Sequence, residues 1–350
     1  MHNICNLSLT FKMPDKLLLM VNNGLKVVEM YTWLLDSYVL DYFTDCHWNK
    51  LPLSWRRAFD TVEPQELGQF LTQNSTFKRK LDMELEASVS KILKDDGFEV
   101  NWPVHLSIAV DSRLTASSFT EALKIAFGIS GEHFTFGMVG LHPCGDLTPI
   151  LMHLFVQCPN AKFINIVGCC YMKLTTGVIS GFTGYPMSDF ISARPHSLSY
   201  EAREIACHAI ETYCQRLCLG QYDDLKVHCY RAALEKILVK YWPHLRHTMI
   251  KSIKHTNNMT FTQYITLAFI NLGLEVPVED LESEETQLDL SQWKRVVIFY
   301  TLRLILAPVV ETVLLLDRLL YLQELGIRSD LIPVFDPSLS PRNSILIGRK

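Results

Sequence analysis

Residues 133–174 constrain the fold more than any other stretch. They read as a strand to about Gly140, a tight turn over 141–146, a helix over 147–158 and a second strand over 163–167. Strand, helix, strand at this spacing is a βαβ unit. A parallel crossover is right-handed and brings both strand C-termini to one edge, the usual ligand crevice of an open α/β sheet. Both strand ends carry reactive or polar residues. His142, Cys144, Gly145 and Asp146 follow the first strand, and Gly168, Cys169 and Cys170 follow the second.

The remainder of the chain frames that unit. Apolar spacing predicts a helix over 27–43, and Pro64 starts another over 63–71. A charged helix over 76–94 carries Lys78, Arg79 and Lys80, either facing phosphate or forming a solvated face. Val104, Leu106, Ile108 and Val110 alternate with polar or small residues, which predicts a strand over 104–110 ending at Asp111. A helix over 117–127 leads into the βαβ unit. Beyond Leu174, a Gly- and Thr-rich loop contains Gly184-Tyr185-Pro186, suited to a lid or turn. A helix over 200–219 places Cys207 and Cys214 on one face. Thr260 and Gln263 have the spacing of a capping box. The acid-rich run 275–289 predicts an exposed linker. Helical spacing over 291–325 is interrupted by Pro308 and stopped by Gly326. Strands over 331–335 and 344–348 predict a terminal antiparallel hairpin.

Composition sets limits on function. With 350 residues, 48% hydrophobic and 20% charged, the chain is globular. A net charge of −4 gives no overall drive toward nucleic acid. One local basic run stands out, with Lys236, Lys240, Arg246, Lys251 and Lys254, and it can meet RNA or remain a solvated face. The 10 cysteines include no CxxC pair, and their use as small apolar residues fits a reducing, intracellular setting, cytoplasm or nucleus. No clean signal peptide is present. The apolar stretch 299–322 holds Arg303, Glu311, Asp317 and Arg318, which predicts a buried bundle helix and no membrane partner.

His142, Cys144, Cys169 and Cys170 could in principle bind zinc. Adjacent cysteines rarely both reach one metal, so no metal is expected. A His142–Cys144 nucleophilic pair has poor geometry at two residues apart. The plain alternative is that the cysteines pack under the sheet, His142 bonds the loop and Asp146 caps the helix. No GxGxxG or phosphate-loop sequence occurs.

Several segments together resemble the methyltransferase-like 25 family, which includes the ribosomal RNA adenine dimethylase domain-containing proteins. They are GLHPCGDL (140–147), VGCCYMKL (167–174), GYP (184–186), EAREIACHAIETY (201–213), HCYRAALEKIL (228–238), LAPVVETVLLLDRLLYLQELG (306–326), SPRNSILIG (340–348) and YFTDCHWNKLPLSW (42–55). The resemblance implies an α/β, Rossmann-like core that uses S-adenosylmethionine, with an N-terminal helical cap (1–72), a core over 76–192, inserted helices over 200–326 and a hairpin over 330–350 that completes the sheet. It implies cofactor contacts from Leu141, His142, Gly145 and Asp146, with Asp111 near the adenine side. His142 is the candidate catalytic residue. The HxCG element is also similar to one in a tRNA ribose methyltransferase family, which points to RNA as acceptor.

The departure from the family lies after Leu71. There the family places a first strand, a glycine-rich loop, its helix and a second strand, whereas this chain passes directly to Lys78-Arg79-Lys80. The expectation is an incomplete sheet and impaired cofactor binding. The alternatives are a non-catalytic form that contacts RNA or protein, and a zinc-binding module.

Overall fold

The computed structural model describes residues 15–74, 105–131, 134–178, 181–250, 253, 259–336 and 340–350. The expected charged helix over 76–94, with its three basic residues, lies outside them. The longer helices are α1 (Asp15–Met30), α2 (Pro64–Asn74), α3 (Ala116–Phe127), α4 (Leu147–Gln157), α5 (Ile210–Cys218), α6 (Asp223–Tyr241), α7 (Phe261–Leu272), α8 (Trp293–Leu304) and α9 (Ala307–Glu324). The strands are β1 (Phe136–Cys144), β2 (Ala161–Cys169), β3 (Arg328–Pro333) and β4 (Ser344–Arg349).

The four strands form one sheet in the order β1-β2-β4-β3. β1 and β2 are parallel, as the crossover through α4 requires, while β4 runs antiparallel to both β2 and β3. The C-terminal hairpin thus extends the βαβ unit on its β2 side. On the other side, no described strand pairs with β1. Its outward-turned apolar residues are bare: Val139 is 75% exposed and Leu141 63%. Sheets with parallel strands are normally covered on both faces, and the described residues leave this face open. The described residues form a Rossmann-like α/β core with a four-stranded mixed sheet.

Local chemistry explains several boundaries. Thr115 caps α3 by accepting a hydrogen bond from the Ser118 amide at 3.1 Å, and Gly128 closes it in the left-handed region. The capping box of Thr260 and Gln263 opens α7. The Pro308 break falls at residues 305–306, so that Pro308 sits in the first turn of α9, where its missing N–H costs nothing.

Other expectations change. β1 does not stop at Gly140. It runs on through the expected turn to Cys144, with an irregular register between Leu141 and Cys144. Residues 105–110 have no regular secondary structure and are largely exposed, with Leu106 45% accessible. Alternation makes a strand only where the segment reaches an edge and pairs with it, and residues 105–110 pair with no described strand. The helix expected over 27–43 is α1, which starts earlier and stops at Met30, followed by short turns. The helix expected over 200–219 breaks between Ile205 and Ile210. The acid-rich run is not a bare linker. It folds into short helices, Val278–Leu281 and Glu284–Ser291, in which Asp280 and Asp289 are buried.

The chain divides into two compact units rather than four consecutive segments. One comprises Met1–Met30, Lys78–Cys207 and Pro308–Lys350, and the other Tyr31–Phe77 and His208–Ala307. Burial dictates this regrouping. In the first unit, α1 lies so close to α9 that a Cβ at Gly24 would stand 2.8 Å from Val313. In the second, α2 lies against α5, and a Cβ at Gly68 would stand 2.6 Å from Leu217. Sequence distance does not predict such pairings. Each fully buried Val or Leu contributes about 1.5–3 kcal/mol.

In the second unit, the completely buried Arg303 donates to the carbonyls of Leu34 at 3.2 Å and Leu35 at 3.0 Å. In the first, the buried carboxylate of Asp317 accepts from the amides of Met187 and Ser188 and from the Ser188 hydroxyl, at 2.8, 2.9 and 2.7 Å. One described stretch, Trp293–Glu324, is long and apolar enough to cross a membrane, but 72% of its most apolar window is buried within the protein. That is the pattern of a core helix.

Candidate functional site

The ends of β1 and β2 meet. Cys144 and Cys169 are direct partners in the parallel register, and the Gly145 amide donates to the Cys169 carbonyl at 3.2 Å. Both tips hold non-glycine residues in the left-handed region, His142 with φ 59° and Cys170 with φ 52°. Such backbone strain persists only where the surroundings fix it, and here they do. The Thr148 hydroxyl donates to the Pro143 carbonyl at 2.9 Å, tying the β1 tip to the start of α4. Past β2, the Arg203 guanidinium donates to the carbonyls of Tyr171, Met172 and Leu174. The Tyr171 hydroxyl donates to Glu311, which also receives Arg342, each at 3.0 Å.

Three sulfurs converge between the tips. The Cys144 Sγ lies 3.4 Å from that of Cys169 and 3.6 Å from that of Cys170. Cys144 is exposed, Cys170 half-buried and Cys169 buried. Hydrogen bonds from Cys169, then from Cys170, pull the Cys144 thiol below its ordinary value. Burial, reinforced by those neighbours, pushes the Cys169 thiol up to about 12. One accessible thiolate is therefore favoured at the expense of a buried thiol.

The expected site residues do not form one cluster. Leu141 and His142 are exposed beside the sulfurs. Gly145 adopts φ 53° at the turn into α4. Asp146 does not cap α4. It makes no side-chain cap bond there, and instead accepts from the Thr175 amide at 2.8 Å and the Thr175 hydroxyl at 2.5 Å. The loop beyond β2 wraps closely over this carboxylate, and a Cβ at Gly184 would stand 2.1 Å from its Oδ1. Tyr185 beside it is buried, so Gly184-Tyr185-Pro186 is packed structure and not a lid.

Asp111 lies elsewhere. It lines a separate cavity of about 140 Å³ with residues including Ile150, His153 and Phe182, and none of Leu141, His142, Gly145 or Asp146 lines that cavity. Arg113 binds the Asp111 carboxylate through its backbone amide at 2.8 Å and its guanidinium at 2.6 Å, holding the carboxyl below its usual range. Thr175, Arg203 and Glu311 carry no local sequence signal, because each acts across a long chain separation.

The described members of the basic run in the second unit are paired with carboxylates. Lys236 pairs with Glu285 at 2.8 Å and Asp289 at 2.7 Å, and Lys240 with Asp280 at 2.7 Å. Arg246 bridges Asp41 and Asp45, both at 2.9 Å. Lys251 and Lys254 lie outside the described residues.

Comparison with known proteins bears on the same stretch. A family model described as a methyltransferase domain matches residues 65–177, which include β1, α4 and β2. The probable methyltransferase-like protein 25 of Mus musculus is 32% identical over 228 residues, covering 61% of this chain and 37% of the mouse protein. The chain is a homologue of the methyltransferase-like 25 proteins. The Homo sapiens counterpart is 30% identical over 230 residues, covering 61% of this chain and 36% of the human protein. The match thus spans little more than a third of the length of either relative. No solved structure matches. Methyltransferase domains as a class use S-adenosylmethionine.

Proposed function

We propose that the chain is a methyltransferase-family protein that keeps the β1, β2 and hairpin side of the sheet and lacks its glycine-bearing front. The outer edge of β1, beside which no described strand lies, with Val139 and Leu141 bare, is the observation that carries this reading. In full-length relatives, Leu141, His142, Gly145 and Asp146 would face cofactor and substrate, and RNA is our proposed acceptor class, with His142 as the residue nearest the chemistry.

The residues present here do not fit S-adenosylmethionine. Asp111 is committed to Arg113 in a cavity apart from the strand tips, and Asp146 is committed to Thr175. No described strand and glycine loop flank β1 to bring backbone amides to the cofactor. We route no methyl-transfer step through this form. Calorimetric titration of the folded chain with S-adenosylmethionine should give no saturable heat, and a dissociation constant in the micromolar range would overturn the proposal. A cytoplasmic or nuclear location accords with the free thiols at the described cysteines.

A second reading is a non-catalytic interaction form. The outer edge of β1, which no described strand covers, favours a protein partner over RNA, since Lys236, Lys240 and Arg246 already hold carboxylates. RNA association can be measured across a salt series. Tight binding with a steep negative slope would show phosphate displacing those carboxylates and would reverse the preference.

A further inference from the structure

The three sulfurs at the strand tips are unlike the other described cysteines. Cys158, Cys214 and Cys229 are buried as small core residues, Cys158 with its sulfur 3.2 Å from the Thr120 hydroxyl and Cys229 donating to the Asp289 carbonyl at 3.6 Å. Cys144, Cys169 and Cys170 present their sulfurs to one another, all within 4.8 Å. His142 is not in this group.

Their spacing suits a particular occupant. Three thiolates around one tetrahedral zinc, with bonds of about 2.3 Å, have sulfurs about 3.8 Å apart. Two of the separations here are 3.4 and 3.6 Å. Closing on a metal would move the sulfurs apart by only a few tenths of an ångström. A disulfide would instead require a sulfur–sulfur distance of about 2.05 Å and would leave the third thiol without a role.

The scaffold is already built for this geometry. Adjacent cysteines ordinarily point to opposite faces of a strand. The left-handed conformation of Cys170, just past the end of β2, turns its side chain back toward Cys144. Arg203, Glu311 and Arg342 hold the following turn in place. On the β1 side, the irregular register between Leu141 and Cys144 ends with Cys144 opposite Cys169.

Charge is also provided for. A divalent cation with three thiolates carries a net charge of −1. Lys173 acts electrostatically on Cys144, and the buried Arg318 on Cys169. One Arg318 guanidinium nitrogen, Nη2, is buried without a hydrogen-bond partner. A buried cation with spare donor capacity is costly unless negative charge lies nearby.

We propose that Cys144, Cys169 and Cys170 form a three-thiolate site for one Zn²⁺ ion at the C-terminal ends of β1 and β2. The fourth position opens toward solvent on the exposed Cys144 side, where a water or a substrate donor completes the tetrahedron. As each S–Zn bond forms, the thiol proton passes to solvent, so binding releases up to three protons and lowers affinity in acid. Soft thiolate ligands favour Zn²⁺ over Mg²⁺ or Ca²⁺. This assignment stands whether or not the chain binds S-adenosylmethionine.

The test is metal stoichiometry of the full chain, supplied with Zn²⁺ and then dialysed without chelator. One zinc per chain is expected by elemental mass spectrometry. Cobalt substitution should give a thiolate-to-metal charge-transfer band of tetrahedral type. In competition with a chromophoric chelator, Cys144→Ser and Cys170→Ser should each weaken binding by more than about tenfold, at least the loss seen when only an outer-shell partner of a metal ligand is removed. Cys46→Ser, in the other unit, should leave it unchanged. Both test positions are accessible to solvent, so serine there leaves the core intact, and circular dichroism verifies the fold. A zinc content near zero in the folded wild-type protein would overturn the proposal. So would unchanged affinity in Cys144→Ser, or a reductant-sensitive loss of two titratable thiols.

Discussion

Two clusters of ionisable side chains, one in each unit, show how differently proximity can be used. In the second unit, Asp41, Asp45, Glu235, Arg246 and His247 form a closed network. Arg246 bridges the two aspartates, the His247 ring meets Asp41 at 2.8 Å and its amide donates to Glu235 at 2.6 Å. Carboxylates and cations satisfy one another there, so the cluster joins loops and offers no open valence. At the strand tips of the first unit, Cys144, Cys169 and Cys170 are neighbours of one kind and cannot neutralise each other. A closed network reports stability, whereas an open one invites a ligand.

The strongest way to break this contrast is Asp41→Ala. Removing this buried carboxylate takes one of two partners from Arg246 and the ring partner from His247, and should cost about 3 kcal/mol. Urea unfolding followed by tryptophan fluorescence reads this directly, because Trp33, Trp48, Trp55, Trp242 and Trp293 all belong to the second unit. If the loss is under about 1 kcal/mol, the network is merely a surface arrangement.

Next in size is zinc linkage in the first unit. Zinc at about one hundred times its dissociation constant should stabilise the wild type by about 2.7 kcal/mol, measured by circular dichroism. In Cys144→Ser this gain should largely vanish, while the metal-free variant stays within about 0.5 kcal/mol of the metal-free parent. Equal zinc stabilisation in both proteins would erase the difference between the clusters.

A pH series sharpens the second unit further. Burial, followed by the Lys50 charge, pushes the His47 ring down to about 4, and its Nε2 meets the Tyr38 carbonyl at 2.9 Å. The folded ring stays neutral where the unfolded one, near 6.5, takes a proton. Its contribution to stability is therefore present above about pH 6.5 and lost as pH falls toward 4, a change on the order of 2 kcal/mol. His47→Gln should flatten that part of the profile. A profile unchanged by the substitution would assign the acid sensitivity to another group. The smallest effect belongs to Lys240→Ala, which removes an exposed ammonium from Asp280, a carboxylate that keeps its hydrogen bond with Tyr241. It should cost under about 1 kcal/mol, and nothing at about 1 M salt.

Legibility from sequence followed the range of the interaction concerned. The βαβ unit, the capping box at Thr260, the place of Pro308 in α9 and the antiparallel hairpin all rest on neighbours a few residues apart, and their residue types announce them. Asp111 failed as a strand-end acid because alternation over 104–110 says nothing about whether the segment pairs with an edge. Asp146 failed as a cap because Thr175, twenty-nine residues on, competes for its carboxylate. The acidic run 275–289 looked like a linker because its lysine partners lie on another helix.

The sequence by itself determined the local elements, the kinship with methyltransferase-like 25 proteins and the absence of a glycine-rich cofactor loop. Only the tertiary structure decided that adjacent cysteines turn toward a third, that the basic run is mostly paired with carboxylates and that β1 ends the described sheet. The reason is physical. Local propensity depends on bonded neighbours, whereas the approach of two sulfurs or of a lysine and an aspartate depends on which surfaces the chain buries together.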